Sequence, residues 1–524
     1  TRVEVVQRGK TRQPRYFIDD TRMRIELEEP VPPRGGKIDI RIDWTFIVPE
    51  YGADRLGRFK SIDGWVYELA QWYPRMYVYD DVHGWNPMPY LGQGEFYLEY
   101  GDFDVEITVP RDFIVVATGE LQNPGDVLTQ TQRERLERAR KSAETVHIVS
   151  PDEVGSPESR PRGRGPLTWR FRATNVRDFA WAASRAFIWD AASWDGILLM
   201  SAYPREGLGT PEQPGWEMST QYVRHSIQHY SETWARYPYP VAINVAGVVG
   251  GMEYPGIVFC SVNARGQGLF GVTDHEFGHT WFPMLVGSDE RRYPWMDEGL
   301  NTLLNHYSNL AYYGEGAQRV RGTSPDYAVQ QMLLPTHDQP VMTYADQIRR
   351  EGLGFMAYRK PGFALILLRE VVLGPERFDA AMKEYIRRWT NKHPQPADFF
   401  HTIENVSGED LSWFWRGWFY STELLDQAVD SVTVGDGVTL VHLSNREGLV
   451  MPVMLEVEYA GGLTERHRLP VEIWFRADSY AFELPGVREV VRVTVDPDRK
   501  LPDVRRENDT WRKATARAEA AVGR

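Results

Sequence analysis

"HEFGHTWF", residues 275–282, sets two histidines four positions apart, with a glutamate directly after the first. On an α-helix, residues four apart share a face, so His275 and His279 turn their imidazoles toward one point. Glu276 lies about 100° further round, beside that point rather than on it. A zinc hydrolase needs this geometry: ligands below the ion, and a carboxylate close enough to take a proton from water at the ion. The pattern also arises by chance on a solvated helix face, so the weight falls on a third ligand. Eighteen residues intervene before Glu298, which "YPWMDEGLNTLL" places in the first turn of another helix, after Pro294 and Asp297. Two neutral histidines and a carboxylate leave a fourth position for water, the donor set of a catalytic rather than a structural zinc. Cysteine ligation is excluded, because Cys260 is the only cysteine.

Working outward, the chain is long enough for more than one core. Its 524 residues imply about three domains. Hydrophobic residues make up 42% and charged ones 25%, an ordinary globular balance. The formal net charge of -13 speaks against a nucleic-acid partner, since phosphate binding needs a basic field. No apolar run approaches the ~18 residues that a membrane span requires. One cysteine precludes an intramolecular disulfide. The opening "TRVEVVQRGK" carries no Met and no signal pattern, as if a leader or first strands had been removed. On that reading a periplasmic or secreted location is favoured over a cytoplasmic one.

The early chain is β-patterned. "KIDIRIDWTFIV" alternates Ile38, Ile40, Ile42, Trp44 and Phe46 with polar neighbours, the period of a half-buried strand. "EFYLEYGDFDVEITVP" and "LTWRFRATNVRDFAWAAS" read alike. Between them "TQRERLERARKSAE" reads as a solvated surface helix, and "SPESRPRGRGP" as a loop. "PVAINVAGVVGGMEYPG" is a buried strand leaving through a glycine turn, and helical patterns run from 273 to about 425. After Asp430 the alternation returns, with hairpin turns expected at Asp436-Gly437 and Gly461-Gly462. The expected organisation is a multidomain α+β chain: 1–188 β-rich, 189–427 catalytic, 428–505 a β-sandwich, and 506–524 a helical or frayed tail.

These motifs resemble the aminopeptidase N-like zinc metallopeptidases, a gluzincin group. Besides HExxH and the distant glutamate, "GGMEYPG" at 250–256 resembles that family's GxMEN signature, and "YRKPGFALILLREVVLG" from Tyr358 resembles its Tyr-x-Lys-Gly segment. The resemblance implies an N-terminal β-saddle domain, a thermolysin-like catalytic domain with a helical lobe, and a C-terminal β-sandwich. It implies one Zn2+ per chain on His275, His279 and Glu298, with Glu276 as general base and Tyr358 as donor to the oxyanion. Gly250, Gly251, Met252 and Glu253 would then meet the substrate, together with Gln71 of "ELAQWYPR". There are departures: Tyr254 stands where Asn is usual, "HTWFPM" replaces "HQWFGN", "DEG" replaces "NEG", and Tyr73 occupies the place of an acid. Glu253 admits a bland reading, a turn residue in a glycine-rich loop. The functional one is a fixed anion for the α-ammonium of a peptide, with the glycines letting an extended substrate lie along a strand edge. A phosphate cradle is excluded, because no Lys-Ser/Thr follows. The expectation is a zinc aminopeptidase acting on peptides with a free N-terminus. The alternatives are a zinc endopeptidase, an epoxide hydrolase with aminopeptidase activity, and a catalytically dead binding scaffold.

Overall fold

The structure is a computed structural model and describes residues 2–314, 323–435, 437–486 and 488–514. The chain divides into two compact units, 1–291 with 389–393, and 292–388 with 394–524. The seam falls inside the 189–427 segment expected as one domain.

The first unit is mostly β. A four-stranded sheet carries Gly64–Leu69 between Trp181–Ser184 and Gly57–Ser61. A six-stranded sheet runs Val146–Val149, Ile188–Trp194, Ile197–Tyr203, Val241–Gly247, Ile257–Ser261, Gly251–Tyr254. It takes a strand from before residue 188, so the β-rich segment and the catalytic sheet interleave. Val241–Gly247 is buried throughout, which is why it reads as an unbroken apolar run rather than an alternating one. Gly251–Tyr254 lies at the sheet's edge, antiparallel to Ile257–Ser261, and Gly256 turns the chain between them at φ +78. Helices Ser219–Thr233 and Gly266–Gly278 are tied to the sheet by buried polar bonds. Asn244 Nδ2 donates to Ser219 Oγ (3.0 Å) and Thr273 Oγ1 (2.9 Å), and Ser226 Oγ donates to Asp274 (2.7 Å).

One early expectation changes and another holds. The strand in "KIDIRIDWTFIV" covers only Asp39–Asp43, and Trp44 and Phe46 are 39% and 46% exposed. The alternation continues in the sequence after the ladder has ended, and no sheet partner remains to bury those rings. "TQRERLERARKSAE" does form a helix, Gln130–Ala139, opened by a Thr129/Gln132 capping box.

The second unit combines helices with a two-sheet sandwich. Trp295 is fully buried, stacked on Phe400 (centroids 5.6 Å) and edge-on to Phe419 (4.6 Å). That cluster anchors the segment entering helix Glu298–Tyr313. Gly299 follows at once: a Cβ there would sit 2.7 Å from Pro361, so only glycine lets helix Lys360–Leu367 pack this closely. Gln427–Gly435, Val438–Asn445 and Ser479–Leu484 make one sheet of the sandwich. Thr464–Leu469, Val453–Tyr459, Val490–Val495 and Thr510–Arg512 make the other. The last strand pairs Val493 with Trp511, so the start of the expected 506–524 tail belongs to a sheet. The rest of that tail, from 515, lies outside the described residues, as does Asp436 of the first expected hairpin turn. Gly461 and Gly462 take φ of +95 and +86 at the second.

Candidate metal centre

The histidine helix Gly266–Gly278 ends at His279, which caps it. His279 Nδ1 donates to the carbonyl of Phe282 (2.9 Å). That bond fixes the ring and leaves Nε2, in the neutral imidazole, as a lone pair. Nε2 of His279 faces Nε2 of His275 at 3.2 Å, with the rings at 83°. Two nitrogens on a tetrahedral ion with bonds of ~2.05 Å stand about 3.3 Å apart, so this pair fits one.

Glu276 is 4% exposed and turns toward the edge strand. A Cβ on Gly251 would come within 2.5 Å of Glu276 Oε1. Gly251 therefore makes room for the carboxylate, a reason the sequence did not disclose. Two residues on, Glu253 is 3% exposed, with Oε1 at 4.0 Å from His279 Nδ1. Glu276, Glu253 and the histidine pair thus converge on the edge strand, with Gly250 at its entry.

Around Glu253 lies a set of charges that sequence reasoning missed. Arg55 pairs with Glu95 (2.7 Å) and donates to Met252 Sδ (2.8 Å). Arg177, 2% exposed, pairs with Glu290 (2.9 Å). Burial holds the Glu290 carboxyl well above its usual range, with Arg177 opposing and Glu95 and Glu253 reinforcing. These groups come from loops remote in sequence, and no spacing rule connects them.

The departures from the family pattern form a network of their own. Gln71 Nε2 donates to the Tyr254 hydroxyl (2.9 Å), Tyr73 donates to Asp178 (2.9 Å), and Arg75 pairs with Asp178 (2.8 Å). Gln71 therefore reaches the edge strand through the residue replacing Asn. Tyr73 is engaged with Asp178.

Glu298 and Tyr358 belong to the second unit. Glu298 opens its helix, where the positive end of the macrodipole favours a carboxylate. Tyr358, half-buried, lies in the turn Gly354–Arg359 that leads into helix Lys360–Leu367. Lys360 is buried and donates to Ser421 O (3.0 Å); burial pulls its ammonium down to about 8, against the pull of Glu423.

A family model matches the chain from 248 to 418, the span that holds Gly250–Glu253, His275, Glu276, His279, Glu298 and Tyr358. That model is described as the peptidase family M1 domain. Curated relatives of the chain agree with the motifs. Leucine aminopeptidase 2 of Neosartorya fischeri is 24% identical over 243 residues, 42% of this chain and 39% of that protein. Aminopeptidase N of Plutella xylostella is 28% identical over 154 residues, 29% of this chain and 16% of that protein. The chain thus spans well under half the length of these relatives. A solved structure, aminopeptidase A of Legionella pneumophila in complex with aspartic acid, superposes with a TM-score of 0.56 at 13% identity. It covers 86% of this chain and 48% of that one. At that identity the likeness concerns the fold, which is the multidomain α+β architecture expected. The matched segment and these relatives support the resemblance to the aminopeptidase N-like family that the motifs implied. Among the described residues no helix is long and apolar enough to cross a membrane.

Proposed function

We propose that the protein is a zinc-dependent aminopeptidase. His275, His279 and Glu298 make a candidate set of metal donors, two imidazoles and one carboxylate. Bound there, zinc supplies a Lewis acid for the scissile carbonyl and lowers the pKa of its water toward ~7.

The chain's own residues do the rest. Glu276 accepts the proton of the attacking water and passes it to the departing amine. Tyr358 donates its phenolic hydrogen to the oxygen that gains charge. Glu253 pairs with the α-ammonium of the peptide, and the open edge of Gly250–Met252 takes its extended backbone. Gln71 supports that edge through Tyr254.

The observation that carries this reading is the meeting of Glu276 and Glu253 on one edge strand. A proton-transferring carboxylate and an ammonium-pairing carboxylate two residues from its contact glycine fix the reaction near a free N-terminus. The test compares amino-acyl amides with and without N-acetylation. Acetylation is expected to lower kcat/KM by about a hundredfold, the worth of a charge-assisted bond in a desolvated site. Glu253→Ala should narrow that ratio. Efficient cleavage of internal bonds in N-blocked peptides would overturn the aminopeptidase reading in favour of an endopeptidase.

A further inference from the structure

Glu68 is a fully buried carboxyl that the chemistry above does not use. It lies on strand Gly64–Leu69 of the four-stranded sheet, paired in register with Ala182 and Gly57, and is 0% exposed. Its Oε2 accepts the backbone N–H groups of Val248 (2.7 Å) and Val249 (3.0 Å). Those residues directly precede Gly250–Glu253. Oε1 takes no hydrogen bond from the described residues.

The seat of this carboxyl is built for it. A Cβ on Gly247 would lie 1.9 Å from Glu68 Cδ and 2.1 Å from each oxygen. Gly247 ends the inner strand of the six-stranded sheet, so its missing side chain is the space that Glu68 occupies. Among the described residues no cation pairs with the group, and burial raises the carboxyl to about 8, with the bonds from Val249 and Val248 opposing. Burying such a group is unfavourable. An apolar residue would fill a core position at lower cost, but it would leave two buried N–H groups unsatisfied.

Further along, the segment it grips takes side-chain bonds from Arg55 at Met252 and from Gln71 at Tyr254; at its start, Glu68 and backbone pairing set its height. The edge strand pairs on one side only, with Ile257–Ser261, and Ser261 N donates to Gly250 O (3.1 Å) where the strand begins. Two parameters of the candidate site depend on that height: the clearance of Gly251 from Glu276, and the aim of Glu253.

We propose that Glu68 is a positioning residue, which holds Val248 and Val249 so that Glu253 meets the substrate ammonium and Gly251 clears Glu276. This inference rests on the reading of Glu253 as the ammonium partner. A glutamine satisfies the same two donors through its amide oxygen, whereas a leucine satisfies neither.

The experiment uses the full chain with zinc, and two readouts. Amide hydrogen exchange over 248–254 reports the grip without reference to activity. The ratio of kcat/KM for a free-amine substrate to that for its N-acetyl form reports the aim of Glu253. Glu68→Leu should speed exchange in that segment and lower the ratio about tenfold, the worth of losing two hydrogen bonds to the backbone. Glu68→Gln should restore both to within about threefold, given one retained acceptor. Gly247→Ala approaches the same contact from the other side, should Glu68→Leu fold poorly. It should reproduce the loss in the wild-type background and add little in a Glu68→Ala background. Unchanged exchange and ratio in Glu68→Leu, or full additivity of Gly247→Ala with Glu68→Ala, would overturn the inference. A wild-type protein indifferent to acetylation would instead overturn the ammonium reading itself, and this inference with it.

Discussion

The C-terminal sandwich and the edge strand of the six-stranded sheet are built by opposite rules. In Val453–Tyr459 the inward residues Val453, Leu455, Val457 and Tyr459 are buried, and Met454, Glu456 and Glu458 alternate with them. The acids there meet arginines near the surface, Glu456 with Arg466 (3.1 Å) and Glu458 with Arg492 (3.0 Å). Along Met252, Glu253 and Tyr254 there is no alternation, since all three are about 3% exposed. Carboxyls that would cost nothing on a surface are sunk into the protein near that strand: Glu68, Glu253, Glu276 and Glu290. The sandwich places each residue where it is most stable. The edge strand places residues where stability alone would not, which is how chemistry differs from packing.

If that contrast is right, substitutions in the two regions should fail differently. The largest effect belongs to the metal donors. His279→Ala should lose zinc, and activity should fall to background; chelation of the wild type should do the same, with recovery on adding zinc back. Full zinc occupancy in His279→Ala, measured by elemental analysis, would remove that residue from the set. Next is Glu276→Gln, which takes away the base and keeps the donors. Zinc content should stay near wild type while kcat falls by at least ~10²-fold. Tyr358→Phe should lower kcat by roughly the same order and leave KM and zinc unchanged. A change confined to KM would make Tyr358 a wall of the cleft instead.

The sandwich should show the reverse. Leu455 is 1% exposed within an apolar cluster, so Leu455→Ala should cost about 2–5 kcal/mol of stability by denaturant titration. The folded fraction should keep the wild-type kcat. A matching loss of turnover per folded molecule would blur the line between the two regions.

The same contrast explains what the sequence made legible. Alternation announced the sandwich because one face of each strand meets an apolar core and the other meets water. The helical spacing of His275 and His279 announced that their imidazoles face each other, because an α-helix turns spacing into direction. Trp44 and Phe46 misled because alternation says nothing about whether a partner strand continues. Arg55, Glu95, Arg177, Glu290 and Glu68 carried no signal at all. Glu68 lies 180 positions from Val248, and only the folded chain brings its carboxyl to that backbone. Gly251 was legible as a glycine, but the reason for it, clearance for Glu276, required coordinates.

The last expected effect is a pH dependence, and Glu68 sets its sign. Its carboxyl stands at about 8 in the folded protein against an ordinary value of 4.5, because burial penalises the charged form. The folded state therefore holds a proton that the unfolded chain releases, so the unfolding free energy falls as pH rises between those two values. This contribution is fully present below about 4.5, is lost progressively as pH approaches 8, and changes no further above it. Glu68→Gln has no proton to lose. Many other groups titrate over the same range, so the informative quantity is the Tm of the wild type minus that of Glu68→Gln, taken at pH 5, 6.5 and 8. That difference should decline steadily toward the alkaline end. Parallel melting curves would mean that the carboxyl is solvated in the native protein, and the grip on Val248 and Val249 would then be that of an ordinary surface acid.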